Sequence, residues 1–383
     1  MPPPAWHLLS GEYPPQPGGV GDYTRLVALS LARTGQQVHV WTPGDTGVGA
    51  EDGVTVHRVP GLFTPAGLPR LSRGLDACPG PRRLLLQYVP HAFGLKAMNV
   101  PFCAWFAARR KDERWVFFHE VVYPWSARDS LRHQVLAGAT RVMARLVGGA
   151  SDRVFVSIPT WAEHLPARSR RDAHWLPVPS NIPTEAPEAA VRAVRARLGS
   201  GRVVGHFGTY GTTIGALLER VLVPLLRAGS ERQALLLGRG SREFQAVLAA
   251  RHPDVAGRVH AAGALAAEDA SAHLLACDLL LQPYPDGVSA RRGSVMAGLG
   301  VGMAIVTNTG HLTESLWRER RPVELVEDTR PEAWVDAAER LLAHDGERAA
   351  LRERATRVYQ ERFALERTVE AMLRPDPVRG GAA

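Results

Sequence analysis

The chain has 383 residues, of which 45% are hydrophobic and 22% are charged; this length suits two domains, and this composition excludes an intrinsically disordered protein. No apolar run reaches the roughly 18 residues of a membrane span, and the N-terminus lacks the basic segment and cleavage site of a secretory signal. The formal net charge of +8 favours acidic ligands or anionic surfaces, although the arginines are scattered and no nucleic-acid-binding motif is present.

Strand and helix patterns alternate in the first half of the chain. WHLLS predicts a short strand, GEYPPQPGGVGDYT a loop, DYTRLVALSLART a helix and QVHVWTP the next strand. Further strand candidates are VTVHRVP, RLLLQYVP, RWVFFHE and DRVFVSIP. Strands that alternate with helices predict a parallel sheet with helices on both faces.

The proline-rich stretch LPVPSNIPTEAPEAA, residues 176–190, is typical of a linker. After it the alternation starts again, with strands predicted in GRVVGHFGTYG, QALLLGRGS, RVHAAGAL, DLLLQPYP and MAIVTNTG. The C-terminal part is helical, with breaks near His344 and Phe363. The sequence therefore predicts two doubly wound α/β units. Ligands bind at the carboxyl ends of the strands in such sheets, so loops of both units are expected to line a cleft.

Two glycine-containing loops follow strands of the second unit. GHFGTYG contains Gly205, Gly208 and Gly211, and LLLGRGS ends in Gly238, Arg239 and Gly240. The absence of a side chain lets a phosphate or sugar approach the backbone closely. Each loop taken alone favours an ordinary tight turn, and only the two loops together give a ligand-binding role equal weight. Neither has the GxGxxG spacing of a dinucleotide site.

The segment PYPDGVSARRGS gives the strongest functional signal. Ser289 is a predicted helix N-cap, which would leave the amides of Ala290, Arg291 and Arg292 as unpaired donors at the positive end of a helix. Arg291 and Ser294 would share a helix face. The glycine-rich apolar continuation indicates a buried helix, so an anionic ligand is expected here. The alternative is an exposed first turn with two solvated arginines.

In the first unit, PGGVGDYT opens a helix with Gly18, Gly19 and Gly21, and RWVFFHEVVYPW places His119 and Glu120 at the carboxyl end of a strand. We expect His119 to be functional, although an isolated histidine is often structural. No HxH, HExxH or DxD pattern occurs, so no metal site is expected.

Two further features bear on location. Three widely spaced cysteines form neither a CxxC pair nor a disulfide framework, and a cytoplasmic location follows as the default. FCAWFAARRKDERW mixes aromatic and basic residues, and it is either a peripheral membrane contact or a core-facing helix with a solvated tip.

The order of GGVGDYT, FHE and PxxDGVSARRxS followed by a small-residue helix resembles the GT-B glycosyltransferases, specifically the retaining group 1 branch (family 4) that uses nucleotide sugars. That family commonly has EGFGLPVLEAMACGLPVV where this chain has DGVSARRGSVMAGLGVGMAIV. The resemblance implies two Rossmann-like domains with an interdomain cleft. The first, residues 1–178, handles the acceptor and is joined by the C-terminal helix 363–383. The second, residues 179–362, binds the donor nucleotide.

The resemblance also assigns residues. The family's first glutamate, near the donor sugar hydroxyls, falls on Asp286, and its second, which holds the ribose, falls on Ser294. The family's diphosphate-binding arginine falls on His206, and no lysine follows in GTYGTTIG. We therefore expect Arg291 or Arg292 to replace this phosphate-binding cation.

The implied activity is that of a hexosyltransferase. It would move a sugar from a nucleoside diphosphate sugar to a saccharide, lipid-linked or small-molecule acceptor, with retention and without metal or other cofactor. Two alternatives stay open: a nucleotide-sugar epimerase of the same fold and a non-catalytic nucleotide-sugar-binding protein. The protein is expected in the cytoplasm, with possible peripheral contact at the inner face of the membrane. The expected catalytic residues are His119, Glu120, Asp286 and Arg291; the expected donor-binding residues are Gly19, Gly21, His206, Gly208, Thr209, Arg239, Gly287, Val288, Ser289, Arg292 and Ser294; and the expected acceptor-binding residues are Asp22 and Tyr23.

Overall fold

The computed structural model describes residues 3–126, 128–327 and 330–375. The chain divides into two compact units. One contains the chain up to Pro177 and from Leu365 onwards, and the other is Val178–Ala364. The helices of the described residues are, in chain order, α1 Gly19–Arg33, α2 Leu68–Ala77, α3 Val100–Ala108, α4 Leu131–Ala150, α5 Ala167–Arg171, α6 Glu188–Leu198, α7 Thr212–Arg227, α8 Ser241–Arg251, α9 Pro253–Ala256, α10 Ala267–Leu275, α11 Gly293–Gly300, α12 Ser315–Arg320, α13 Pro331–Ala343, α14 Asp345–Val358 and α15 Leu365–Leu373.

In the first unit the described residues form one eight-stranded sheet, in the order β3-β4-β2-β1-β5-β6-β7-β8. All neighbouring strands are parallel except β3 and β4. Strands buried on both faces read as continuous apolar runs, and all five residues of β1 are buried. The strands are β1 Ala5–Leu9, β2 Val38–Pro43, β3 Gly47–Glu51, β4 Val54–Val59, β5 Arg82–Tyr88, β6 Glu113–Phe118, β7 Arg153–Val156 and β8 Ala173–Trp175.

Helix α15 is part of this first unit and packs beside α1. The buried Arg153 guanidinium donates to the carbonyl oxygens of Ala371 and Arg374, both at 2.9 Å. The last carbonyls of a helix lack partners within it and carry partial negative charge. Arg153 therefore supplies both the hydrogen bonds and the charge that hold the end of α15 in place.

The described residues of the second unit form a six-stranded, all-parallel sheet in the order β11-β10-β9-β12-β13-β14. The strand order reverses between β9 and β12, and ligands bind at the carboxyl side of such a reversal. The predicted pair of doubly wound α/β units is confirmed. The strands are β9 Val203–Phe207, β10 Gln233–Leu237, β11 Val259–Gly263, β12 Leu279–Gln282, β13 Ile305–Asn308 and β14 Glu324–Val326.

The proline-rich stretch 176–190 is not a free linker along its whole length. From Val178 it belongs to the second unit, where the Val178 amide donates to the Ala290 carbonyl at 3.1 Å. The Ser180 amide donates to the Tyr359 hydroxyl at 3.2 Å. These bonds fix the stretch against the second unit, beside the segment that holds the two arginines.

Helix α3 contains the first half of the predicted aromatic and basic stretch, residues 102–108, and the basic residues follow the helix. Phe102, Cys103 and Phe106 are buried, and Trp105 donates to the Ser72 hydroxyl at 2.9 Å. The helix therefore faces the core, and the aromatic side chains are not a membrane-facing surface. Among the helices that the structure describes, none is both long and apolar enough to cross a bilayer.

Candidate functional site

The segment between β12 and α11 has a different local structure from the one predicted. Helix α11 begins at Gly293, and the helix start predicted after Ser289 is wrong. The Arg292 amide donates to the Ser289 carbonyl at 3.0 Å, which closes a turn in front of the helix. The Ala290 amide donates to Glu314 Oε1 at 2.9 Å. Two of the three amides expected to bind an anion are therefore already used within the protein.

Ser289 is not a helix cap in this structure. Its side chain is fully buried, and its hydroxyl has no hydrogen-bond partner within the described residues. Because Arg291 precedes the helix, the predicted helix face shared by Arg291 and Ser294 does not exist. The position of the arginines depends on tertiary contacts instead.

Asp286 binds both arginines. One carboxylate oxygen pairs with the Arg291 guanidinium and the other with that of Arg292. The side chains of Arg291, Arg292 and Asp286 are only 20%, 20% and 16% exposed. The Arg292 guanidinium also lies 4.9 Å from the centroid of the Tyr284 ring, a cation–π contact. Burial and the Arg291 charge lower the pKa of Arg292, so the carboxylate and the aromatic face offset an unfavourable environment.

Two loops at the carboxyl edge of the sheet pack on each other to hold Asp286. Gly287 has a φ of 84°, and a Cβ there would lie 2.2 Å from the Gly310 nitrogen. Only glycine both adopts this positive φ readily and leaves room for the Gly310 nitrogen. The Asn308 side chain fixes the same loop from β13, since it accepts from the Tyr284 amide and donates to the Tyr284 carbonyl, both at 2.8 Å.

A cavity of about 250 Å³ lies at the strand reversal of the second unit. It is formed by the carboxyl ends of β9 and β12 and by the start of α11. Its lining residues are His206, Phe207, Gly208, Thr209, Ile214, Gln282, Tyr284, Arg291, Arg292, Gly293 and Ser294.

The structure brings together six of the predicted donor-binding or catalytic residues in this lining: His206, Gly208, Thr209, Arg291, Arg292 and Ser294. Asp286 contacts this wall through the two arginines. Val288 is buried and donates its amide to the Asn308 carbonyl at 2.9 Å. Arg239 is exposed and is not among the lining residues. Gly287, Val288 and Ser289 thus support the wall and do not line it.

Two of the residues that line this cavity, His206 and Gln282, carry buried acceptor atoms. His206 is 2% exposed, and its Nδ1 donates to the Leu281 carbonyl at 2.7 Å. Its Nε2 atom has no partner within the described residues, and the same holds for Gln282 Oε1. Burial lowers the pKa of His206 to about 4, so its ring is neutral at pH 7. The Ser294 hydroxyl lies 2.8 Å from the Tyr284 hydroxyl.

Glu314 was not predicted from the sequence. It is 8% exposed, and besides accepting from Ala290 it accepts from the Trp317 indole at 2.7 Å. Burial raises the pKa of Glu314 to about 6. It lies in the loop after β13, at the carboxyl edge of the sheet. This position after a strand is the only sequence feature that could have indicated a role at the site.

In the first unit His119 does follow β6, but its partner is Gln87. His119 Nε2 lies 2.8 Å from Gln87 Oε1, which accepts its proton, and this leaves Nδ1 as an acceptor. Burial lowers the pKa of His119 to about 3. The Glu120 carboxylate lies 3.7 Å from His91 Nδ1. The predicted orientation of His119 by Glu120 is therefore replaced by a bond to Gln87.

The glycines at the start of α1 make room for Glu12. The Glu12 carboxylate accepts from the Val20 and Gly21 amides at 2.9 and 3.0 Å. A Cβ on Gly21 would lie 3.2 Å from the Glu12 backbone. The sequence predicts that Gly21 lets substrate approach the backbone, and in the structure its small size also accommodates this contact within the protein. Gly19 is exposed, with open space around its Cβ position.

The two predicted acceptor-binding residues differ in exposure. Asp22 is half-buried in the first turn of α1. Tyr23 is 2% exposed, and its ring packs 4.9 Å from the rings of both Phe117 and His119. Tyr23 therefore supports His119 from the core and is not an exposed acceptor contact.

Within the described ranges, His7, His39 and Cys78 bring possible metal-ligand atoms within 4.8 Å of one another. The Trp41 indole donates to His7 Nδ1 at 3.1 Å, so the neutral ring carries its proton on Nε2 and offers no free lone pair. Both nitrogens of His39 lie within hydrogen-bonding distance of Gln37 or His57. This chemistry does not fit a metal site.

Comparisons with known proteins agree with this architecture. Residues 18–181 match the family model described as "Glycosyl transferase 4-like domain", whereas no curated protein matches the chain by sequence. Sucrose-phosphate synthase from Thermosynechococcus elongatus has a TM-score of 0.71 at 17% identity, with 97% of each chain covered. HepE from Anabaena in complex with UDP has a TM-score of 0.69 at 15% identity, with 96% of this chain and 98% of that chain covered. The UDP-forming α,α-trehalose-phosphate synthase from Burkholderia xenovorans, in complex with glucose-6-phosphate, has a TM-score of 0.68 at 10% identity, with 97% and 99% covered.

Proposed function

We propose, from the glycosyl transferase 4-like domain of residues 18–181 and the GT-B fold of the chain, that this protein is a glycosyltransferase that uses a nucleoside diphosphate sugar. The acceptor is a saccharide, a lipid-linked sugar or a small molecule, and the anomeric configuration is retained. No metal or other cofactor takes part. The first unit handles the acceptor and the second binds the donor.

The observation that carries this proposal is the cavity at the strand reversal of the second unit. Two arginines line it, and the Asp286 carboxylate pairs with both, so these three groups together have a formal charge of +1 (two arginines minus Asp286). A diphosphate brings the opposite charge. Its hydrogen bonds to a guanidinium are charge-assisted and therefore stronger than bonds between neutral groups.

The arginines also account for catalysis. When the bond between the sugar and the diphosphate breaks, negative charge develops on the leaving group. Arg291 and Arg292 are held by Asp286 before the substrate arrives, so they stabilise this charge with little reorganisation. Ser294 contacts the ribose. His119 is neutral, and its Nδ1 accepts a hydrogen bond from a sugar or acceptor hydroxyl.

A ligand screen followed by a product assay tests this function. A thermal-shift screen of UDP, ADP and GDP and their sugars should identify a ligand, because saturation at a hundred times Kd adds roughly 2.7 kcal/mol of stability. The identified nucleotide sugar is then incubated alone and with acceptor panels, with and without EDTA. NMR of the product reports the anomeric configuration.

Each result has one interpretation. A new glycoside with retained configuration, formed only with an acceptor, supports the proposal. A new nucleotide sugar formed without acceptor indicates an epimerase, and binding without turnover on any acceptor indicates a non-catalytic binding protein. The absence of binding by all nucleotide sugars would exclude the proposed donor.

A further inference from the structure

His206 has an arrangement that the proposed function leaves unexplained. The bond from Nδ1 to the Leu281 carbonyl fixes the tautomer, because a carbonyl oxygen only accepts. Nε2 therefore carries a lone pair, and this atom is buried without a partner in the described residues. A Cβ at Gly208 would lie 3.7 Å from both His206 Nε2 and Ser294 Oγ. A side chain at position 208 would therefore contact both of these atoms.

Burial lowers the pKa of His206 to about 4, which explains why the ring is neutral in the empty cavity. Arg291 and Arg292 line the same cavity from the segment before α11. Tyr284, after β12, and Tyr210, before α7, are the neighbouring phenols, and burial is the main cause that raises the pKa of both. The Tyr210 ring lies 5.1 Å from the His206 ring.

The carboxylates of this region do not contribute a negative charge at the ring. Asp286 is bound to the two arginines. Glu314 accepts from the Ala290 amide and the Trp317 indole. On the Gly205 side of β9 the neighbouring titratable group is the Cys277 thiol, whose pKa is raised to about 12 mainly by burial. No anion in the described part of the chain therefore stabilises a protonated His206.

A diphosphate in this cavity would supply the negative charge that favours a protonated His206. A phosphate oxygen and the Nε2 lone pair are both acceptors, so a neutral ring would repel the ligand. A protonated ring would donate to it instead, and an opposite charge within about 4–6 Å favours the charged form of a histidine.

We propose that His206 takes up one proton from solvent when the diphosphate of a nucleotide sugar enters the cavity, and that the imidazolium then donates from Nε2 to a phosphate oxygen. The Nδ1–H bond to the Leu281 carbonyl is kept throughout. This inference rests on the proposed donor. It gives the second unit a third phosphate-binding cation, which exists only when the ligand is bound.

Calorimetry with an intact nucleotide sugar tests the proposal. UDP-glucose, ADP-glucose and GDP-mannose are titrated, and the tightest binder is studied, because the diphosphate of a nucleotide sugar is doubly esterified and has no group that titrates near neutral pH. Measurement at pH 6.5 in two buffers with different heats of ionisation gives the number of protons taken up. We expect up to one proton per ligand, and an affinity that rises by up to about tenfold for each pH unit lowered between pH 8 and 6.

The matched variants are His206→Asn and His206→Gln. Asparagine keeps a donor for the Leu281 carbonyl and removes Nε2, whereas glutamine places a non-titrating amide near the Nε2 position. Both should bind without proton uptake and with an affinity that does not depend on pH. Thermal melting and binding of the matching nucleoside establish that the cavity is intact. In the wild type, ¹⁵N NMR should show protonation of both ring nitrogens when the ligand is added.

Binding of a nucleotide sugar by the wild type without proton uptake would overturn the role of His206 and leave the proposed function in place. Proton uptake that persists in both variants would also overturn it. If no nucleotide sugar binds, the proposed function itself is wrong.

Discussion

Replacing Asp286 with asparagine separates two roles for this residue. The family resemblance assigns Asp286 to the donor sugar, whereas the structure shows it binding two arginines that line the cavity. Asp286→Asn keeps the shape of the side chain and removes one negative charge. The formal charge of the cluster rises from +1 (two arginines and one carboxylate) to +2.

The loss of the carboxylate should destabilise the empty protein. Removing one partner from a buried ion pair typically costs about 3–5 kcal/mol. The three side chains here are 16–20% exposed, so solvent screens part of the charge, and we expect a decrease of about 2–3 kcal/mol in the free energy of unfolding. The exposed pair of Arg227 and Asp254 serves as the control, because solvent screens this pair and Asp254→Asn should lower the free energy of unfolding much less than Asp286→Asn.

Binding should change in the opposite direction. If the removed carboxylate charge is taken to lie about 8 Å from a phosphate charge, at an effective dielectric constant of about 20, their repulsion amounts to roughly 2 kcal/mol. Asp286→Asn should therefore bind a nucleoside diphosphate more tightly, by roughly thirtyfold, and the bare nucleoside equally well. Urea unfolding and calorimetry measure the two effects. Weaker binding of the nucleotide sugar with unchanged stability would refute this reasoning and assign Asp286 to the sugar.

Four further outcomes are expected. Arg291→Ala and Arg292→Ala should each weaken diphosphate binding by ten- to over a hundredfold, at about 1.5–3 kcal/mol per charged hydrogen bond, with little change for the nucleoside; equal losses for both ligands in calorimetry would indicate a structural role. His119→Ala should lower turnover at least about tenfold with nucleotide binding unchanged, and normal turnover in a product assay would assign it to the core. Turnover should survive excess EDTA, and a strict requirement for added manganese or magnesium would contradict this. Burial lowers the pKa of His7 to about 3 and of His57 to about 4, below their usual value of about 6.5, so the unfolded chain binds more protons than the folded one. The contribution of these two histidines to the free energy of unfolding should be fully present above pH 6.5. Towards pH 4 it should decrease by up to about 1.4 kcal/mol per pH unit for each histidine. Urea midpoints that do not change over this range would contradict the burial of these rings.

The sheets and their helices could be predicted because their signal is local. Apolar runs buried on both faces gave β1, β5, β9 and β12, and the resemblance to GT-B glycosyltransferases is confirmed. The edge strand β3, with the sequence GVGAE and four exposed residues, has neither an apolar run nor an alternating pattern. The short strands β8 and β14 have three residues each. Such elements are defined by their neighbours and not by their own sequence.

The errors at the site have the same physical origin. Ser289 has the local features of a helix cap, but Glu314 accepts from the Ala290 amide, 24 positions earlier in the chain, which such a helix would have exposed. His119 is next to Glu120 in sequence, yet it bonds to Gln87 on the neighbouring strand. Parallel strands bring together residues that are distant in the chain. A pattern confined to a short stretch could not identify either partner.

The two arginines occur together with two other departures from the family pattern, at positions 206 and 294, and the charges of the site explain this combination. The resemblance would place a cation at position 206 and a carboxylate at position 294, but this chain has a neutral histidine and a serine there. With Ser294 uncharged, Asp286 is the carboxylate that pairs with both arginines. A glutamate at position 294 would border the same cavity as Arg292 and would offset the second positive charge. In the proposed function, the arginine pair replaces the lost cation because the second carboxylate is also absent, and the two arginines with Asp286 keep a net positive charge that favours a diphosphate.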